Sequence, residues 1–271
     1  MPERNRARIS ATGIGTAATV GASPEGALDE QSAAAAVQSM FNSIAPRYDL
    51  VNHVLSANID RLWWWRTARR FREILADPNA TILDICCGTG DMTMALLKHR
   101  PANARPVIAA DFAREMLARG ARKFTGPFSH HGCAVALEAD ALHLPLRSDS
   151  LDLITTAFGF RNLANYRDGL HEFHRVLKPG GKLGILDFSE PGGVFGTVYR
   201  VYFRRILPVI GLLIGGKESA YNYLPASVRK FPPTAEMLEM MREAGFREVR
   251  WTPYTFGIAG LYTAVCDADA S

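Results

Sequence analysis

The feature that most constrains this chain is an alternation running from residue 81 to residue 188. Five short apolar runs, TILDIC (81–86), PVIAAD (106–111), CAVALEAD (133–140), LDLITTAF (151–158) and GKLGILDF (181–188), are separated by longer segments. Three of those segments, MTMALLKH, AREMLARGARKF and YRDGLHEFHRVL, have helical spacing. Strands alternating with helices imply a parallel sheet covered on both faces, with right-handed crossovers. Pro179-Gly180 marks a turn before the fifth run. After an interruption at residues 190–233, the helix TAEMLEMMREAG precedes two more strands, FREVRW and GLYTAVCD. Two strands after one helix make the last pair antiparallel. The expected fold is α/β and Rossmann-like: seven strands, mostly parallel, with an antiparallel strand near the C-terminus.

The flanks divide differently. Residues 1–30 are rich in Ala, Gly, Ser and Thr and lack apolar periodicity, which predicts a disordered tail. Residues 31–271 then form a single domain. Within it, 33–76 are N-terminal helices, 79–189 the core, 190–233 a lid or insertion, and 234–267 the closing helix and strands. Val37, Met40, Phe41 and Ile44 repeat at helical spacing until Pro46 stops them. Asp60 is placed to cap a second helix, LWWWRTARRFREIL. Its run of tryptophans puts large rings on more than one face, one packing on the domain and another near a ligand or membrane.

Composition narrows the class. Hydrophobic residues are 48% and charged residues 21%, which excludes collagen, coiled coil and wholesale disorder. A net charge of +4 is too small and too dispersed to point to nucleic acid. The four cysteines, Cys86, Cys87, Cys133 and Cys266, form no CxxC pair and match no zinc spacing, so no metal is expected. Reduced thiols fit a cytoplasmic chain. The longest apolar run, ILPVIGLLIGG (206–216), is too short to span a bilayer and holds Pro208. With Arg200, Arg204 and Arg205 nearby it suggests peripheral contact at the inner membrane face, or a buried helix.

The chemistry gathers at the strand ends. Asp84, Gly88 and Gly90 lie at and beyond the first, where glycines admit a ligand close to the backbone. A dinucleotide fingerprint needs a third glycine, but the chain has Thr93, so the pyrophosphate reading weakens. Asp111 ends the second strand, where a carboxylate can accept from both ribose hydroxyls. Asp140 ends the third and can accept from an adenine amine, with the Ala141 N–H donating to a ring nitrogen and Phe112 and Met116 touching the ring. A nucleoside without a phosphate fits this set, and S-adenosyl-L-methionine is one. Taken singly, each acid is equally well a strand-end cap. AFGFRN ends the fourth strand. There Arg161 can stabilise a developing phenolate and Asn162 can hold a hydroxyl, unless Arg161 pairs with a local carboxylate and Asn162 caps the next turn.

The segments LDICCGTGD, DFAREML, ADALHLPLRSDSLDLIT, AFGFRN, RVLKPGGKLGILDFSEP, ILPVIG, YNYLPASVRKFP and REAGF occur in this order. Together with MFNSIAPRYDLVNHVLS, they resemble the ubiquinone/menaquinone biosynthesis C-methyltransferases over residues 37–266. GTGD alone would indicate only a class I S-adenosylmethionine-dependent methyltransferase; FGFRN, LKPGG and YNYL make the likeness specific. The resemblance implies methyl transfer to a ring carbon of a polyprenylated quinol, with Thr89, Asp111, Asp140 and Ala141 on the cofactor. The favoured substrate is demethylmenaquinol; the ubiquinone precursor 2-methoxy-6-polyprenyl-benzoquinol is the alternative, and a non-catalytic scaffold the competing class. Tyr48, Asp187 and Tyr223 become candidate substrate contacts, and a homodimer is compatible with all of this. Where the family reads LEFS, the chain has Leu186-Asp187-Phe188-Ser189, an acid one methylene shorter.

Overall fold

The computed structural model describes residues 21–22, 24, 27–45, 56, 58–124, 133–189, 191 and 227–267. A seven-stranded sheet organises them, in the order β3-β2-β1-β4-β5-β7-β6. The strands are β1 (Ile82–Ile85), β2 (Val107–Asp111), β3 (Ala134–Glu138), β4 (Leu151–Ala157), β5 (Leu177–Phe188), β6 (Phe246–Tyr254) and β7 (Ala259–Cys266). The first five are parallel, and β7 runs antiparallel between β5 and β6, as the pattern predicts.

β1 is buried at every position because both faces are covered. On one face Leu83, Ile85, Ile154 and Leu183 meet Tyr166, Leu170 and Phe173 of helix α6 (Tyr166–Val176) and Met237, Met240 and Met241 of α7 (Thr234–Glu243). On the other, Ile82, Val107 and Leu153 pack against α2 (Ile59–Arg70), α3 (Arg72–Ala76) and α4 (Asp91–Leu97) through Ala68, Leu75, Met92 and Leu96. Cys87 joins Ala109, Leu117 and Phe124 beneath α5 (Arg114–Phe124), while Cys86 faces the other way.

Three local expectations change. Asp60 does not cap the second helix: Asn58 is the N-cap, in left-handed backbone, and Asp60 lies buried in the first turn. That helix also does not run through to residue 75. It breaks at Phe71, whose ring fills the space above Gly184; a Cβ on Gly184 would lie 2.6 Å from it. Tertiary packing has overridden helix propensity here. The Pro179-Gly180 turn sits inside β5, where the pairing with β4 slips between Leu151 and Leu153 and Gly180 takes φ +82°.

The N-terminal helix α1 (Glu30–Ile44) begins three residues before the expected Ala33, capped by Asp29, which accepts from the Ser32 N–H at 2.7 Å. Ahead of it, the Ala22 N–H donates to the Leu163 carbonyl at 2.7 Å. The described end of the expected tail therefore touches the core. Among the described residues no helix is long and apolar enough to cross a membrane. The apolar run at 206–216, like Tyr48 and Tyr223, lies outside them.

Candidate active site

A cleft of about 670 Å³, part of it open to solvent, lies at the carboxyl ends of β1 to β4, where doubly wound sheets bind ligands. Its wall includes Gly88, Asp111, Phe112, Met116, Asp140, Ala141 and Asn162 from the sequence expectations. It also includes Ala34, Phe41, Cys86, Ala157, Phe158 and Gly159.

Asp111 is fixed by its own backbone. Its Oδ2 accepts from the Gly88 N–H at 2.7 Å and its Oδ1 from the Ala113 N–H at 2.8 Å. Burial pushes its carboxyl up to about 6, against the opposing pull of those amides and that of Phe112. Gly88 has φ +56°, which glycine tolerates, so the loop turns over the strand with no side chain between backbone and cavity. Asp140 is half exposed at the rim, its Oδ1 accepting from the Leu142 N–H at 3.0 Å. Two acids at one end, with Phe112, Met116 and Phe41 as apolar walls, suit a polar sugar and a flat base.

Asp84, Thr89 and Gly90 do not reach this wall. Asp84 is fully buried and accepts from Thr93 Oγ1 at 2.5 Å and Thr155 Oγ1 at 2.9 Å. Burial dominates its titration and pushes it up to about 7, although both hydroxyls pull downward. Thr93, where a dinucleotide site would need glycine, thus ties α4 to β1. The Thr89 hydroxyl meets Lys123 Nζ at 3.3 Å, and that ammonium also donates to Asp91 at 2.8 Å. Gly90 is a packing glycine: φ is +84° and a Cβ would lie 2.5 Å from the Phe124 ring.

The far side of the cavity is organised by a buried ion pair. Arg161 Nη1 donates to Asp187 Oδ1 at 2.8 Å, and the Arg161 backbone N–H donates to Asp187 Oδ2 at 3.1 Å. Their side chains are 5% and 0% exposed. Arg161 also donates to the Phe158 carbonyl, and its guanidinium lies 5.1 Å above the Phe188 ring. The local carboxylate that the sequence left open as a partner for Arg161 is Asp187. The pair clamps the 158–162 loop and leaves Asn162 on the cavity wall, its Nδ2 donating to the Phe158 carbonyl at 3.3 Å. Phe158 stands in left-handed backbone (φ +59°), strained for a bulky residue. Its ring packs 4.6 Å from Phe188 and 5.8 Å from Trp63.

Sequence reasoning missed Ala34 and Phe41, which α1 brings across the opening. Gln38 Nε2 donates to the Phe112 carbonyl at 2.6 Å, and the Glu115 N–H donates to Asn42 Oδ1 at 3.1 Å. The helical stripe containing Phe41 was visible; that it packs onto Ala113 and Met116 was not. Cys86 was hidden by its type: burial pushes the thiol up, so it is an apolar wall and not a nucleophile.

Comparison with known proteins supplies the chemistry. The ubiE/COQ5 methyltransferase family matches residues 28–266. A demethylmenaquinone methyltransferase from Deinococcus radiodurans is 45% identical over 86% of this chain and 94% of its own length. One from Thermus thermophilus is 48% identical over 82% and 98%. A ubiquinone/menaquinone biosynthesis C-methyltransferase UbiE from Geotalea daltonii is 42% identical over 84% and 94%. Among solved structures, a SAM-dependent methyltransferase from Aquifex aeolicus superposes with a TM-score of 0.53 at 21% identity, covering 74% of this chain and 89% of that one. Another from Thermotoga maritima gives 0.58 at 17% identity over 85% and 100%. These two likenesses show the fold.

Proposed function

The chain belongs to the ubiE/COQ5 methyltransferase family, and from that premise we propose that it methylates a ring carbon of a polyprenylated quinol, demethylmenaquinol above all. S-adenosyl-L-methionine is the cofactor. The observation that carries the reading is the juxtaposition, in one cavity, of a two-acid end and an aromatic end clamped by Arg161–Asp187.

The residues present fit the cofactor. Asp111 takes the ribose hydroxyls, and Asp140 with the Ala141 N–H reads the adenine edge. Phe112 and Met116 cover the base, and Gly88 leaves room beside the backbone. Bound there, the cofactor supplies an electrophilic methyl on a sulfonium, which needs no metal. The chain supplies alignment and dryness. Phe158 and Asn162 face the space where the ring must lie, the Asn162 side chain holding a ring hydroxyl. Phe41 and Ala34 shield the opening from water. A ring carbon becomes nucleophilic when a neighbouring phenolic proton leaves, so the reduced ring reacts and the quinone does not. Positioning of this kind supplies much of a rate enhancement. A prenylated ring resides in a bilayer, so the enzyme works as a peripheral membrane protein.

Initial rates with S-adenosyl-L-methionine and each of two reduced rings, demethylmenaquinol and the 2-methoxy-6-polyprenyl-benzoquinol precursor, test the assignment. Faster turnover of the naphthoquinol is expected. Equal or greater turnover of the benzoquinol moves the substrate to the ubiquinone branch, and none with either overturns the reading.

A further inference from the structure

Helix α2 has two different faces. Inward, Trp63, Thr67 and Ala68 are buried, and Trp63 Nε1 donates to Thr255 Oγ1 at 2.8 Å. Outward, Ile59, Leu62 and Trp65 are 38%, 49% and 45% exposed, interleaved with the exposed Arg61, Arg66, Arg69 and Arg70. Beside them the turn at 255–257 presents Phe256, 72% exposed. Thr255 and Phe256 both take positive φ, +45° and +58°, an uncommon conformation for non-glycine residues.

We propose that this outer face of α2, with Phe256, is a docking surface for an anionic lipid bilayer. Scattered exposed apolar residues need no explanation, but three large ones on one helix face with four arginines do. Among the described residues none of those arginines has an acidic partner within ion-pair distance. Asp60, the acid of this helix, is buried on the opposite side. Arg69 lies 5.2 Å over the Trp65 ring and Arg66 4.3 Å over Tyr254, so the cationic heads sit level with aromatic rings. Trp65 and Leu62 interleaved with arginines match interfacial anchors, whose rings and cationic heads both sit at headgroup depth. The positive charge selects an anionic surface.

The geometry also joins this surface to the cavity. Trp63, on the inner side of the same helix, packs against Phe158, which lines the cavity wall. A helix is about 10 Å across, so a membrane lying on α2 would be one helix diameter from the aromatic end of the site. That consequence rests on the quinol reading, since only a membrane-borne substrate needs it; the surface itself does not.

The test is flotation of the full chain with vesicles of phosphatidylcholine alone, and with phosphatidylglycerol mixed in. The wild type should bind the mixed vesicles more tightly and lose that advantage at high salt. Arg61→Glu/Arg69→Glu should weaken binding by about fivefold or more per arginine. Leu62→Ser/Trp65→Ser and Phe256→Ser should each weaken it by about tenfold. All variants should keep the wild-type melting temperature and wild-type turnover of a tail-less, water-soluble quinol. The proposal is overturned if the variants float like the wild type or if the two vesicle types bind equally. It is also overturned if the wild type is a dimer that Trp65→Ser dissociates, because the face would then be covered by a second copy. If the wild type methylates neither prenylated quinol while flotation behaves as expected, the quinol reading fails and the docking surface stands.

Discussion

The two halves of the cavity use carboxylates in opposite ways. At the β2–β3 end, Asp111 is held by amide hydrogen bonds and Asp140 stands at the rim, both on the wall of the cavity. At the β4–β5 end, Asp187 is fully buried against Arg161 and accepts from the backbone of the 158–162 loop. An acid at a strand end is therefore no guide to its role until its partners are known. Backbone amides alone position Asp111, whereas Asp187 is held by the Arg161 guanidinium together with the amides of Arg161 and Phe188.

The largest effect that separates the halves concerns stability. Asp187→Leu leaves Arg161 buried and uncompensated, at a cost of about 3–5 kcal/mol. The double variant Arg161→Met/Asp187→Leu should recover most of that, since replacing both members of a buried pair is far milder than removing one. Denaturant titration of the three proteins checks it. A single variant as stable as the wild type would mean the pair is not what holds the 158–162 loop.

Next comes cofactor affinity. Asp111→Ala should weaken S-adenosyl-L-methionine binding by about 1.5–3 kcal/mol, the worth of a hydrogen bond to a charged group. Calorimetric titration should show that loss in a folded protein, while the double variant above binds cofactor nearly as the wild type does. Equal losses in both would erase the division between the halves.

A pH series sharpens the contrast inside the acidic half. Asp84 and Asp111 have folded values raised to about 7 and about 6 from an unfolded 3.8. Stability from keeping them protonated is fully present below 3.8 and is lost as pH rises through those folded values, by up to about 1.4 kcal/mol per pH unit for each group. Asp84→Asn should flatten the decline that extends to about 7, in ligand-free protein, and leave cofactor affinity near wild type. An unchanged slope would mean that Asp84 is not the titrating group. The smallest expected effect is at the opening: Gln38→Ala removes the bond to the Phe112 carbonyl, about 0.5–1.5 kcal/mol. It should appear as faster cofactor dissociation in stopped-flow measurements.

What the sequence made legible follows from range. Strand ends, the glycine loop and the terminal acids are read locally, because an apolar run ending in Asp111 or in Ile-Cys-Cys-Gly declares both its strand and its edge. Even there the split between Asp84 and Asp111 was invisible, since it depends on Thr93 and Thr155 donating from α4 and β4. The pairing of Arg161 with a carboxylate was one of two readings open from the sequence. That the partner is Asp187, on the neighbouring strand, emerges only when β4 and β5 lie side by side. Phe41 closing the cavity depends on a helix crossing from far upstream. The break at Phe71 depends on the space above Gly184. Each miss is a contact between distant segments, which periodicity does not encode.

The most direct measurement follows a labelled methyl group. With S-adenosyl-L-methionine carrying a carbon-13 methyl, and with demethylmenaquinol either reduced or oxidised, the product is read by NMR. The account predicts a labelled methyl on a ring carbon from the reduced ring and no product from the quinone. Label on an oxygen, or equal transfer to the oxidised ring, would contradict it.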